Sequence, residues 1–182
     1  MKSDKITKTI NLTDGTAILI RPIQPTDAEI EWKFVHDLSH ESRYFRFRSA
    51  LRDLTPKMVE YFTNIDLDTH MALIAVVNRD GRDIEVAVGR YFRYETGRIC
   101  EFAIVVADEW QGKGIGRKIM QMLIENARDR GIEIMEGEIL ALNNSMLKLL
   151  KKLDFVLLPD PEDHKIVKAS LQLQKAPTTA LF

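Results

Sequence analysis

Residues 109–118, EWQGKGIGRK, place three of the chain's nine glycines within five positions. Glycine at that density lets consecutive backbone N–H groups turn toward one ligand with no Cβ in the way. Immediately downstream, Ile115, Ile119, Met122, Leu123 and Ala127 recur at helical spacing and Gly131 closes the run, so 114–131 reads as an amphipathic helix. The positive end of its dipole falls on the glycines, and Lys113 and Arg117 add full charges beside them. The chemistry this combination implies is the binding of phosphate oxygens.

A second chemistry-bearing residue is Glu101, the lone carboxylate in ICEFAIVV, a run otherwise apolar from Ile99 to Ala107. An ionised carboxylate is costly to bury in such a strand unless it is paired or used. Use as a general base is one reading; pairing with Arg93 or Arg98 across neighbouring strands is the other. Asp66 and Asp68, ahead of the apolar run 70–78, could attract a cationic acceptor or simply face water. RYFRFR (43–48) alternates basic and aromatic residues, as single-stranded nucleic-acid surfaces do. A net charge of −1 weighs against that, and favours aromatics packed on the core with arginines at the rim. The four histidines (His36, His40, His70 and His164) show no ligand spacing, and the single cysteine, Cys100, supplies neither an intrachain disulfide nor a Cys-rich centre. No metal site is expected.

These residues need elements to hold them. TAILIRPI (16–23) reads as a strand ended by Pro22 and Pro25. A helix follows over 25–39 with Thr26-Asp27 as cap, and another over 55–65 with Thr55 as cap and Pro56 at its first position. Three apolar runs, 70–78, 85–95 and 98–106, are joined by Asp80-Gly81 and Thr96-Gly97, which predicts an antiparallel meander. After the glycine-led helix come a strand over 133–142, running parallel to 98–106, and a short helix within 143–155 capped by Asn or Ser. The strands FVLLPD and 165–173 close the chain as a hairpin. The expectation is one α/β domain with a mixed sheet.

With that context the phosphate readings separate. A P-loop needs a glycine five residues before its Gly-Lys pair and a hydroxyl after it; with Gly112-Lys113 as the pair, Ala107 and Gly114 occupy those places. A dinucleotide fingerprint starting at Gly112 or Gly114 has Arg117 or Ile119 where its last glycine belongs. Glu136 sits at the distance of a ribose-binding acid, but a meander precedes the glycines where a parallel unit is required.

What does fit is Q-x-x-G-x-G, as Gln111, Gly114 and Gly116, between a buried strand and an amphipathic helix. This resembles the pyrophosphate loop of the GNAT superfamily of N-acetyltransferases. ILIRPIQPTDA resembles the family's first strand and helix entry. NNSMLKLLKKLDF resembles its N-x-x-A-x-x-L-Y-x-K-x-G-F segment, with Asn143 and Phe155 in register; Leu150 replaces the frequent tyrosine, a proposed general acid, and Asp154 replaces the glycine. LSHESRYFRF, DLDTHMALIAV and CEFAIVVADEWQGKGIG are most similar to Pat-type protein lysine acetyltransferases, which often carry an additional domain without counterpart in these residues.

The resemblance implies a GNAT fold over 14–173, with a splayed parallel pair 98–106/133–142 on a mostly antiparallel sheet. It implies acetyl-CoA as cofactor, held by Gln111, Gly112, Lys113, Gly114, Ile115, Gly116 and Arg117 at the pyrophosphate. Free backbone groups of Ile104, Val105 and Val106 would pair with pantetheine, and Asn143 would meet the cofactor arm or act only as a helix cap. Glu101 coincides with the Pat-type catalytic glutamate, and the Val106 N–H would polarise the thioester carbonyl. The acceptor expected is a protein lysine, with Asp66 and Asp68 as weak candidates for contacting it. A small amine, or a non-catalytic acyl-CoA-sensing module, is the alternative.

Length and composition set the remaining bounds. The 182 residues suit a single core. The opening MKSDKITKTI lacks a signal-peptide core, and the longest apolar runs, 72–77 and 102–107, are too short to span a bilayer. A cytoplasmic monomer or homodimer with no nucleic-acid or membrane partner is expected, with residues 1–13 loosely held and 174–182 a mobile tail.

Overall fold

A computed structural model describes residues 6–174. One sheet of eight strands runs in the order β1-β2-β3-β4-β5-β6-β8-β7. The strands are β1 (Lys8–Asn11), β2 (Ala17–Pro22), β3 (His70–Arg79), β4 (Arg82–Arg93), β5 (Ile99–Val106), β6 (Ile134–Leu140), β7 (Val156–Pro159) and β8 (Ile166–Gln172). The helices are α1 (Ala28–Asp37), α2 (His40–Phe47), α3 (Pro56–Thr63), α4 (Ile115–Asp129) and α5 (Asn144–Lys151). This is the mixed, mostly antiparallel sheet expected, with β5 and β6 as its parallel pair.

The meander forms for the expected reasons. Asp80 and Gly81 both adopt positive φ, 53° and 78°, as a type I′ turn requires between right-twisted strands. Gly97 turns β4 into β5 at φ 71°. Thr55 caps α3 by accepting from the Met58 N–H at 3.3 Å.

Two elements and one cap differ from expectation. Lys8–Asn11, placed by sequence in the loosely held N-terminal segment, pairs with β2 as an edge strand, while residues 1–5 lie outside the described residues. Only Ile10 of its four residues is even half-buried, so no alternation marks it. Helix α2 covers RYFRF, whose basic-aromatic alternation hides helical spacing; Ser39 starts it by accepting from the Ser42 N–H at 3.1 Å. Asp27 does not cap α1. Its carboxylate accepts from the Gln24 N–H at 2.7 Å and from both terminal nitrogens of Arg21, at 2.7 and 2.8 Å. The 174–182 tail lies outside the described residues from 175 on.

Helices cover both faces of the sheet. On one side α4 lays Ile115, Ile119, Met120 and Leu123 on β3, β4 and β5. It sits so close that a Cβ at Gly89 would stand 2.4 Å from Ile119 Cγ2. On the other side α1 and α3 bring Phe34, Val35 and Val59 onto Ala72, Ile74 and Val88.

The parallel pair is short. β5 and β6 pair only at Ile99–Ile134, Cys100–Met135 and Glu101–Glu136. β6 then continues against β8 alone, up to Leu140–Ile166. At the divergence the Phe102 ring lies against the backbone of Gly137, where a Cβ would come within 2.8 Å, and Phe155 meets that ring edge-on at 5.2 Å. Beyond Glu101 one edge of β5 therefore faces an opening in the middle of the sheet.

Candidate active site

That opening is a cavity of about 900 Å³. Its floor is β5 from Glu101 to Val106, and one end is the Gln111–Arg117 loop. Ser42, Phe45 and Arg46 of α2 form one wall; Ile139 and Leu142, with Met146 and Leu149 of α5, form the other. A second hollow of about 570 Å³, between α1 and α3, is lined by none of the candidate catalytic or binding residues named from the sequence.

The loop is built as its glycines suggested, with a division of labour. Gly112 and Gly114 adopt φ 75° and 86°, and a Cβ on either would meet no atom within 4 Å. Gly114 is the N-cap of α4 and brings no side-chain bond, so the first-turn N–H groups stay open to an anion. Gly116 serves packing: its Cβ would stand 3.3 Å from Val106 Cγ2, where α4 crosses β5. Ile115 buries its side chain in the core and offers only backbone to the cavity. Arg117 is exposed at the rim and makes no ion pair among the described residues. Lys113 does not line the cavity; its ammonium lies 3.6 Å from Asp14 and 5.4 Å from the Trp110 ring centroid.

Gln111 ties the loop down. Its amide nitrogen donates to the Val106 carbonyl at 3.1 Å and to Ser42 Oγ at 3.2 Å. Asp108 adds a latch, accepting from the Ser39 N–H at 2.9 Å, Ser39 Oγ at 2.7 Å and Ser42 Oγ at 2.8 Å. Partial burial opposes its ionisation, but the bonds from Ser39 and Ser42 prevail and hold its carboxyl below the usual range. The sequence reading missed this latch because α2, which brings both serines, was unassigned.

The free edge of β5 is narrower than expected. The Ala107 N–H donates to Val86 in β4 at 2.9 Å. Backbone direction alternates along a strand, so Val105 also faces β4, and Ile104 and Val106 face the opening. Val105 contributes to the cavity without free backbone groups. Asn143 lines the cavity while its side-chain carbonyl caps α5, accepting from the Met146 N–H at 3.1 Å. An open strand edge ending at an uncapped, glycine-flanked helix N-terminus fits a slender amide-bearing chain with a pyrophosphate, as coenzyme A has.

Glu101 lies in the last paired row of β5 and β6, half-buried, with its side chain on the α2 side. Neither arginine proposed as its partner takes it. Arg98 pairs with Glu133 at 2.7 and 2.9 Å, and Arg93 Nε donates to the Gly97 carbonyl at 2.7 Å. Among the described residues its carboxylate takes one hydrogen bond, a long one of 3.4 Å from the Tyr94 hydroxyl. Burial, then the charges of Glu101 and Glu136, push that phenol up to about 12, so it remains a donor.

In register with Glu101 across the sheet stand Phe92 and then His70, stacked at 3.9 Å, with Tyr61 over Phe92 at 6.0 Å. Burial, then the charges of Arg90 and Arg46, hold His70 at about 3, so its ring is neutral. Leu150, at the position of the family's tyrosine, is fully buried and brings no acid to the cavity. Asp66 and Asp68 do not line the cavity either. Asp66 folds its own turn, accepting from the Asp68 N–H at 3.0 Å and Thr69 Oγ1 at 3.1 Å. Nor do the arginines of 43–48 all sit at the rim: Arg46 turns inward, while Phe47 packs on the core.

No helix among the described residues is long and apolar enough to cross a membrane, and no group of three His, Cys, Asp or Glu there is placed to hold a metal ion.

Residues 32–155 match the model of the acetyltransferase (GNAT) family. An acetyltransferase of Pseudomonas aeruginosa, PA5475, is 36% identical over 153 residues, 84% of this chain and 82% of the relative. The acetyltransferase Pat of Mycolicibacterium smegmatis is 28% identical over 148 residues; the match spans 81% of this chain but only 44% of Pat. The crystal structure of the GNAT domain of S. lividans PAT superposes with a TM-score of 0.82 at 28% identity, over 92% of this chain and 97% of that domain.

Proposed function

The chain belongs to the GNAT acetyltransferase family, whose members use acetyl-CoA, and from that premise we propose that it acetylates protein lysine with Glu101 as the base. The observation that carries this reading is the position of Glu101. Among the described residues it is a carboxylate without an ion pair, lining the cavity where β5 parts from β6 and the free strand edge begins.

Acetyl-CoA supplies an acetyl thioester whose thiol leaves readily as a thiolate. The rest falls to the chain. A lysine amine has a pKa of about 10.4, so baring its lone pair at pH 7 costs about 4–5 kcal/mol. Glu101 takes the proton from the amine nitrogen. The cavity walls of α2 and α5 keep bulk water from competing. The Val106 N–H, aimed into the opening, is the donor for developing negative charge on oxygen. The Gly112–Gly114 turn and the open end of α4 hold phosphate charge at the far end. With Leu150 buried, no side-chain acid is supplied at that position, and a thiolate leaving group needs none. Likeness to Pat supports a lysine acceptor.

The experiment is transfer of labelled acetyl groups to lysine peptides and cellular protein by the wild type and Glu101→Gln. The variant should lose about 10²–10⁴-fold in rate at pH 7, with a smaller deficit at pH 9–10 where more amine is already neutral. Equal rates across that pH range would remove Glu101 from the role of base. Wild-type transfer to small amines alone would remove the protein acceptor.

A further inference from the structure

Of the arginines close to α2, Arg43, Arg48 and Arg90 are engaged. Arg90 donates to Glu31 at 3.0 Å and to the Phe62 carbonyl at 3.2 Å. Arg43 donates to the His36 carbonyl at 2.7 Å, and Arg48 is ion-paired to Glu138. Arg46 is different. It lines the cavity half-buried and makes no hydrogen bond or ion pair among the described residues; its guanidinium rests 4.9 Å from the centroid of the Phe47 ring. Burial, then the charge of Arg90, pull its pKa down to about 10, which leaves it cationic at neutral pH.

Its place along α2 decides which ligand it meets. Ser42 is tied through Gln111 to the phosphate loop. Arg46 is one turn further, about 6 Å along the helix axis. There it lies within the fields of Glu101, Glu31 and Arg90, on the amine side of the cavity.

We propose that Arg46 determines acceptor specificity: it binds a carboxylate carried next to the amine that is acetylated. A guanidinium presents a planar fork that matches a carboxylate in a bidentate pair, and a partly desolvated cation with no carboxylate in direct contact gains most from one. The same chemistry has two sources, the carboxylate of a free amino acid or an Asp or Glu side chain beside a target lysine. The inference rests on Glu101 acting on the amine of the same acceptor.

The test uses two matched pairs of acceptors: leucine with leucinamide, and a capped lysine peptide flanked by glutamate with the same peptide flanked by glutamine. The kcat/KM of each is measured for the wild type, Arg46→Gln and Arg46→Lys. Wild type should favour the carboxylate member of one pair by about tenfold or more, and that pair identifies the source. Arg46→Gln should abolish the preference through KM, with kcat on that acceptor within about twofold; Arg46→Lys, which keeps charge without the fork, should retain part of it. Calorimetry with coenzyme A bound should show the same loss as weaker acceptor binding, and unchanged coenzyme A affinity shows that the variants fold. No preference in the wild type, a preference that survives Arg46→Gln, or equal losses on both members of a pair would each overturn the inference while leaving Glu101 as base untouched. A wild type that acetylates no amine overturns the reading beneath it as well.

Discussion

At the scale of single residues, the chemistry depends on where backbone and side-chain groups are left without partners. Gly114 shows this for backbone. Its φ of 86° is a conformation that costs an ordinary L-residue about 1–2 kcal/mol. Gly114→Ala should therefore lower unfolding free energy by about 1 kcal/mol in denaturant titration and weaken coenzyme A by calorimetry, since relaxing the strain turns the N–H groups away. Undiminished coenzyme A affinity would show that the loop geometry is not what holds phosphate. Much at this scale was legible in advance. Gln111, Gly112, Gly114 and Glu101 all line the cavity, because glycines before a helix and a lone carboxylate in a strand have few structural uses. Lys113, Asp66 and Asp68 do not, because charge and proximity in sequence say nothing about which way a side chain on a turn will point. Arg46 was hidden for another reason: the basic-aromatic alternation of RYFRFR masks the helix that turns it inward.

At the scale of elements, α2 escaped because its local pattern pointed elsewhere, and β1 because it has no pattern. Helix α2 is held by a capping serine and by the Asp108 latch, a contact 66 and 69 residues away along the chain that no local pattern encodes. The end of α5 makes a sharper case. Asp154 stands where the family's segment has glycine, and it adopts φ 64°. The Phe155 N–H then reaches back to the Leu150 carbonyl at 3.1 Å, which seats the Phe155 ring against Phe102. Asp tolerates the left-handed region better than most residues, yet not as well as glycine. Asp154→Gly is expected to stabilise the fold by about 0.5–1 kcal/mol, read as a higher denaturant midpoint at unchanged slope. A lower midpoint would mean that the Asp154 side chain contributes more than its backbone strain costs.

At the scale of the whole molecule, the two faces of the sheet are built differently. The α4 face is apolar, whereas the α1–α3 face buries Glu31, Glu85 and Arg90 among its apolar residues. Neither oxygen of Glu85 has a hydrogen-bond donor among the described residues, and burial, then the charge of Glu31, raises its carboxyl well above the ordinary value of 4.5. The folded state thus keeps a proton that the unfolded chain releases, so this group's contribution to stability falls as pH rises from about 4.5 toward the folded-state value, and levels off above it. Glu85→Gln should melt higher than wild type by a margin that grows between pH 5 and pH 9, at about 2–4 °C per kcal/mol gained. A margin independent of pH would assign the effect to packing. The sheet's other unusual property is its unpaired edge at Ile104 and Val106. An exposed strand edge normally invites a strand from another chain and so risks aggregation. This one lies inside the sheet, between β5 and β6 and lined by residues of α2 and α5, and not at the sheet's outer rim. The protein thus keeps a pairing surface open while its own helices, and not a neighbouring strand, form the surroundings of that surface.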